Sequence, residues 1–131
     1  MLELVFVYGT LMRGNRNHRW MLQDNPGAEF VGEGWAEGVA LYKVTSGYPG
    51  VILEAGSRTR GEVFRVDQQI LRRMDDLEDE GDLYRREKVA VSLDEGPTVE
   101  TWVYLWNRVP DPATRVPEER QPWRSRRSRG G

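Results

Sequence analysis

Between residues 28 and 53 no apolar run lasts long before a glycine interrupts it. The runs 29–31, 39–44 and 51–53 are separated by Gly32, Gly34, Gly38, Gly47 and Gly50. Helix interiors tolerate such spacing poorly, whereas strands use glycine at bulges and sharp bends. This stretch therefore restricts the chain to short, curved strands of the kind that close a small barrel. A further strand is expected at residues 61–66, where Val63 and Arg65 alternate with Phe64 and Val66.

The ends of the barrel stretch are marked just as locally. Residues 4–8 are β-branched and aromatic and stop at Gly9, which reads as a buried strand entering a tight turn. Residues 10–16 form a loop, and residues 17–23 a short helix ended by Asp24-Asn25-Pro26-Gly27. Asp67 is placed to cap a helix running to about Asp79, with Gly81 as its terminator. Residues 88–93 and 99–106 alternate as two long strands around Glu95-Gly96, an antiparallel hairpin. Val89, Val91 and Leu93 share one face; Val99, Val103 and Leu105 oppose Trp102, Tyr104 and Trp106.

After Asn107 the chain turns rich in Pro, Arg and Glu, so a domain over residues 1–109 and a tail over 110–131 are expected. Pro110, Pro112, Pro117 and Pro122 oppose regular structure there, and the end, RSRRSRGG, reads as disordered. At 131 residues the chain is the size of one domain, and five Trp, five Tyr and three Phe are enough for a core. Nineteen basic against 21 acidic residues leave a net charge of −2, which gives no global case for a nucleic acid or membrane partner. There is no cysteine, so thiolate chemistry is excluded. The opening apolar stretch is short and carries Glu3, so neither a signal peptide nor a membrane span is expected, and the default compartment is the cytoplasm. Nothing in the sequence signals an oligomeric state.

One helix carries a misplaced charge. On a wheel of roughly 100° per residue, Ile70, Leu71, Met74 and Leu77 form the buried stripe. Glu78 falls at about 80°, between Met74 and Leu71. Asp75 lies at the edge; Asp76, Asp79 and Glu80 point away. A carboxylate taken from water either neutralises or finds partners, and a raised pKa suits a general base and acid. The competing reading makes Glu78 a structural residue paired with Arg85 or Arg86, or frayed into solvent.

The turn Tyr8-Gly9-Thr10-Leu11 offers backbone N–H groups to a carboxylate or an oxyanion, with a hydroxyl from Thr10. An ordinary turn is the rival reading. Neither phosphate-loop pattern is present. His18, the single histidine, is flanked by Arg16 and Arg19 and reads as a solvated residue rather than a catalytic one. The acidic run from Asp75 to Asp82 lacks the ligand spacing of a calcium loop.

Together these motifs resemble the γ-glutamylcyclotransferase family, in particular its branch of γ-glutamylamine cyclotransferases and AIG2-like proteins. VFVYGTLMRGNRNH resembles the family's strand and Y-G-T-L turn. Gly47-Tyr48-Pro49-Gly50 resembles its G-Y-P-G segment, and Gly61-Glu62-Val63-Phe64 its G-E-V-Y strand. Met74-Asp75-Asp76-Leu77-Glu78 followed by Tyr84-Arg85-Arg86 resembles its L-D-x-x-E…Y-x-R block, and Trp102-Val103-Tyr104 its late aromatic strand. Asp79 stands where many members have glycine. Gln121-Pro122-Trp123-Arg124 faintly resembles a G-D-W-R segment that folds back onto the barrel in some relatives.

The resemblance implies an α/β fold of the α+β kind, a small mixed, mainly antiparallel β-barrel with flanking helices. It implies Glu78 as the catalytic glutamate and Tyr8, Gly9, Thr10 and Leu11 as the substrate-binding turn. The implied reaction cyclises a γ-glutamyl compound to 5-oxoproline and releases an amine or amino acid, with no metal or cofactor. A γ-glutamyl amino acid, a γ-glutamylamine, glutathione or a biosynthetic intermediate would each fit. Two rivals stay open: a non-catalytic module binding a small metabolite on the same fold, and an RNA or acidic partner for Arg124, Arg126, Arg127 and Arg129.

Overall fold

The structure, a computed structural model, describes residues 2–15, 17–45, 48–78 and 80–124. Five strands close a barrel: β1 (Glu3–Val7), β2 (Ala28–Thr45), β3 (Tyr48–Val66), β4 (Tyr84–Leu93) and β5 (Thr98–Trp106). The order around it is β1-β3-β2-β4-β5. Neighbours run antiparallel except where β5 meets β1 and β3, at Val5–Trp102 and Val51–Leu105, where the pairing is parallel. Helix α1 (His18–Met21) follows the first turn, and α2 (Gln68–Glu78) links β3 to β4.

The glycine-punctuated stretch departs from expectation in one respect. Its short runs are not separate strands; they merge into β2 and β3, two long strands paired with each other almost throughout. Two of the glycines, Gly32 and Gly38, coincide with register shifts between Phe30 and Gly32 and between Glu37 and Val39; a third shift, between Lys43 and Thr45, involves no glycine. A continuous ladder holds the strand together while each bulge bends and twists it. Gly38, at φ +79, sits inside one of these bulges, where a side chain would be strained.

Alternation sorts the core into two clusters. Phe6, Leu41, Val51, Val63, Val91, Val103 and Leu105 fill one, with Leu93 and Val99 at its margin. Val5, Val7, Phe64 and Val66 turn the other way, onto Ile70, Leu71 and Met74 of α2 and Met21 and Leu22 beside α1. Trp102, Tyr104 and Trp106 join this second cluster, opposite Val103 and Leu105, as the hairpin pattern requires. Asp67 caps α2 by accepting the Ile70 N–H at 2.9 Å. Ile70, Leu71 and Met74 are buried, each contributing about 2 kcal/mol of apolar burial. The helix ends at Glu78; Asp79, where it was expected to end, lies outside the described residues.

The chain after β5 does not leave the barrel. Residues 112–114 and 118–120 each form a single 3₁₀ turn despite the prolines. Val116 donates its N–H to Leu41 at 2.8 Å, Gln121 accepts from the Arg60 N–H at 2.7 Å, and Trp123 packs against both core clusters. Asn15 donates to the Trp123 carbonyl at 3.3 Å, so this strap touches the first turn. Arg124 is exposed, and Arg126, Arg127, Arg129 and the rest of the RSRRSRGG end lie outside the described residues. Among the described residues no helix is long and apolar enough to cross a membrane.

Candidate active site

Where β1 ends, the chain turns sharply across the barrel mouth. Met12 donates its N–H to the Gly9 carbonyl at 3.1 Å and Asn17 donates to the Thr10 carbonyl at 2.8 Å. Side chains finish the turn. Asn15 donates to the Gly9 carbonyl at 2.9 Å, and Asn17 donates to the Thr10 hydroxyl at 2.8 Å, leaving that hydroxyl its own proton to give. Gly9 is set against Pro49 so closely that a Cβ would sit 2.8 Å from its Cγ. Among the described residues, the N–H groups of Thr10 and Leu11 meet no acceptor.

His18 is not solvated, as its arginine neighbours suggested. It is buried, its Nδ1 lies 3.0 Å from the Leu11 carbonyl, and its ring packs on Phe64 at 5.7 Å. Burying the ring lets it brace the turn from behind. Glu62 braces it from another side, accepting from the Arg13 N–H at 2.9 Å and Arg13 Nε at 3.1 Å.

Beside this turn lies a small cavity lined by Tyr8, Gly9, Thr10 and Leu11 together with Tyr48, Pro49, Glu78, Tyr84 and Tyr104. All five residues expected at the site are thus brought together. Glu78 enters from the last turn of α2, positioned by Met74 and Leu77 packing on the second cluster. Neither structural partner anticipated for it is available. Arg86 Nε pairs with Asp75 at 2.6 Å, and Arg85 pairs with Glu87 at 2.7 Å. Among the described residues the Glu78 carboxylate meets no hydrogen-bond or ion-pair partner. Desolvation raises its pKa from 4.5 to about 7.

Three buried phenols stand by that carboxylate, and all are engaged; a fourth tyrosine, Tyr48, lines the exposed rim. Tyr8 donates to the Tyr104 carbonyl at 2.6 Å, Tyr84 to the Pro49 carbonyl at 2.9 Å, and Tyr104 to Asp75 at 2.6 Å. Burial holds all three above their ordinary range, helped at Tyr104 chiefly by Asp75, at Tyr8 by Tyr84, and at each by the Glu78 charge. They remain neutral walls, so Glu78 is the one lining group that titrates near neutral pH. Tyr84, Tyr104, Pro49 and Asn17 were not read from the sequence as site residues. Tyr84 stood in the Y-x-R block and Tyr104 on an alternating face, but Pro49 and Asn17 reach the site by chain reversals that leave no periodic signal. Among the described residues no group of three or more acidic or histidine side chains could hold a metal ion.

Comparison with known proteins agrees with the fold. The profile of the family described as gamma-glutamyl cyclotransferase, AIG2-like, matches residues 5–125. A Drosophila melanogaster protein whose name assigns it provisionally to the γ-glutamylcyclotransferases is 38% identical over 116 residues, covering 85% of this chain and 74% of its own. The γ-glutamylaminecyclotransferase of Mus musculus is 36% identical over 114 residues, covering 76% and 75%. The crystal structure of an AIG2-like protein of Mus musculus superposes with a TM-score of 0.73 at 33% identity, covering 86% of this chain and 82% of that one. The chain belongs to the γ-glutamyl cyclotransferase, AIG2-like family of enzymes.

Proposed function

We propose that this protein converts a γ-glutamyl amide into 5-oxoproline and a free amine, with Glu78 moving the protons. The observation that carries the reading is a cavity carboxylate with no partner and a pKa raised to about 7. In the substrate the α-nitrogen is an ammonium and cannot attack. Glu78 takes one of its protons, and the freed lone pair attacks the γ-carbonyl of the same molecule. The new C–N bond closes a five-membered ring, and the carbonyl oxygen becomes an oxyanion. Glu78 then gives its proton to the departing nitrogen as the old C–N bond breaks; the ring nitrogen, still carrying two hydrogens, gives up the second, which the released amine takes to leave as an ammonium, so the carboxylate is regenerated.

Proton transfer of this kind contributes about 10²–10⁴-fold. A carboxyl near neutrality serves both halves, since it is ionised often enough to accept and acidic enough to donate. The free N–H groups of Thr10 and Leu11 and the Thr10 hydroxyl suit the substrate carboxylate or the oxyanion. Gly9 and Tyr8 shape the turn that aims them. Because nucleophile and electrophile belong to one molecule, confining it in a bent conformer supplies the rest.

The test is 5-oxoproline release from a panel of γ-glutamyl amino acids and amines by the wild type and by Glu78→Gln. Turnover by the wild type and its loss in the variant are expected. Equal turnover by both would remove Glu78 from the role, and saturable binding of the panel without any product would favour a metabolite-binding module.

A further inference from the structure

The cavity at Glu78 has a second chamber, and its walls differ from those of the first. Thr10, Tyr48, Glu78 and Tyr84 line both spaces. Beyond them the outer chamber, of about 230 Å³, is bounded by Leu77, Leu83 and Trp106, with Asn17 and Thr45 as its polar side. The rim exposes two large apolar side chains: Leu83 is 39% exposed and Tyr48 47%. That exposure leaves apolar surface at the rim available to a ligand.

Charge separates the two chambers further. Among the described residues lining the outer one, Glu78 alone carries a formal charge, and no lysine or arginine is present. The inner chamber has the N–H groups of the turn, which suit the glutamyl carboxylate. The outer one offers a second carboxylate no cation, only the polar side chains of Asn17 and Thr45, and an ammonium there would face only the carboxyl that the reaction needs free. A buried charge without a counter-charge is costly, whereas apolar area on Leu77, Leu83 and Trp106 is favourable.

The geometry points to the outer chamber as the leaving-group subsite, built for an uncharged apolar amine such as an alkyl or arylalkyl amine. This rests on the cyclisation reading, since only there does a group leave. In an apolar pocket each added methylene changes kcat/KM by about tenfold or more. A side chain carrying a carboxylate or an ammonium group forgoes that gain.

The experiment compares kcat/KM of the full chain for γ-glutamyl-isoamylamide, γ-glutamyl-phenethylamide, γ-glutamyl-ε-lysine and γ-glutamyl-alanine. Release of 5-oxoproline is the readout. The apolar amides are expected to exceed the two charged substrates by about tenfold or more. In Leu83→Arg that ratio should fall to near one, and in Leu83→Ala to an intermediate value. Leu83 is at the rim, so both variants should fold; should Leu83→Arg not, Leu83→Ala and the wild-type ratio still decide. Turnover with equal or better use of the charged substrates would overturn this inference alone. No turnover of any substrate would overturn the cyclisation reading and this inference with it.

Discussion

Two glutamates flank the first turn, and they are buried in different company. Glu62, on β3, is 7% exposed and fully engaged, with both oxygens accepting from Arg13. Glu78, at the end of α2, is half-buried and meets no partner among the described residues. Partners separate their roles: a carboxylate hydrogen-bonded to a neighbouring cation is fixed as an anchor, while Glu78, which loses water and gains nothing, is left with a proton it can trade. The protein thus holds its turn with one acid and faces it with another.

The largest effect that bears on this contrast is on turnover. Replacing Glu78 by Gln keeps the side-chain shape and removes the proton site, and kcat should fall about 10²-fold or more. Replacing Glu62 by Gln leaves a proton site at Glu78 and should lower kcat/KM only about tenfold, through a less well-held turn. Comparable losses in both variants, measured as 5-oxoproline release, would break the distinction.

The pH profile sharpens it. Only ionised Glu78 accepts a proton, so kcat/KM should drop about tenfold per unit as pH falls below about 7. That limb should persist in Glu62→Gln, and whatever activity remains in Glu78→Gln should lack it. A limb near pH 4.5 in the wild type would mean that Glu78 is solvated.

Stability gives the smaller effects, with opposite signs at the two sites. Glu62→Gln removes one half of a part-buried ion pair and should cost about 2 kcal/mol, read from urea unfolding. For Glu78 the folded pKa is raised, so between pH 4.5 and about 7 the folded state holds more protons than the unfolded one. Its stability is therefore greatest at low pH and declines as pH rises through that window. At pH 8 Glu78→Gln should consequently be more stable than the wild type, by about 1–2 kcal/mol once partial exposure is allowed for. At pH 4 the two should be alike.

Much of this contrast was legible before the structure. The wheel set Glu78 inside an apolar stripe because helix periodicity is fixed by geometry, and the Asp67 cap fixed the phase. The hairpin of β4 and β5 showed both of its faces by alternation. Glycines, however, read as breaks in residues 28–53, since sequence shows the interruption but not the ladder that spans it. Glu62 passed unnoticed as a buried acid for a similar reason. Its partner Arg13 is 49 residues away and arrives only when the turn folds across β3. The docking of Trp123 was signalled only by the likeness of Gln121-Pro122-Trp123-Arg124 to a folded-back segment; the return path through Val116 and Gln121 has no local pattern.

The most direct measurement is the protonation of Glu78 itself, followed by carbon NMR of side-chain carboxyls in glutamate-labelled protein. Glu78→Gln identifies the resonance by its disappearance. A midpoint at about 7 is expected. A midpoint near 4.5 would show a carboxylate in ordinary contact with water, and the proton shuttle assigned to it would fall.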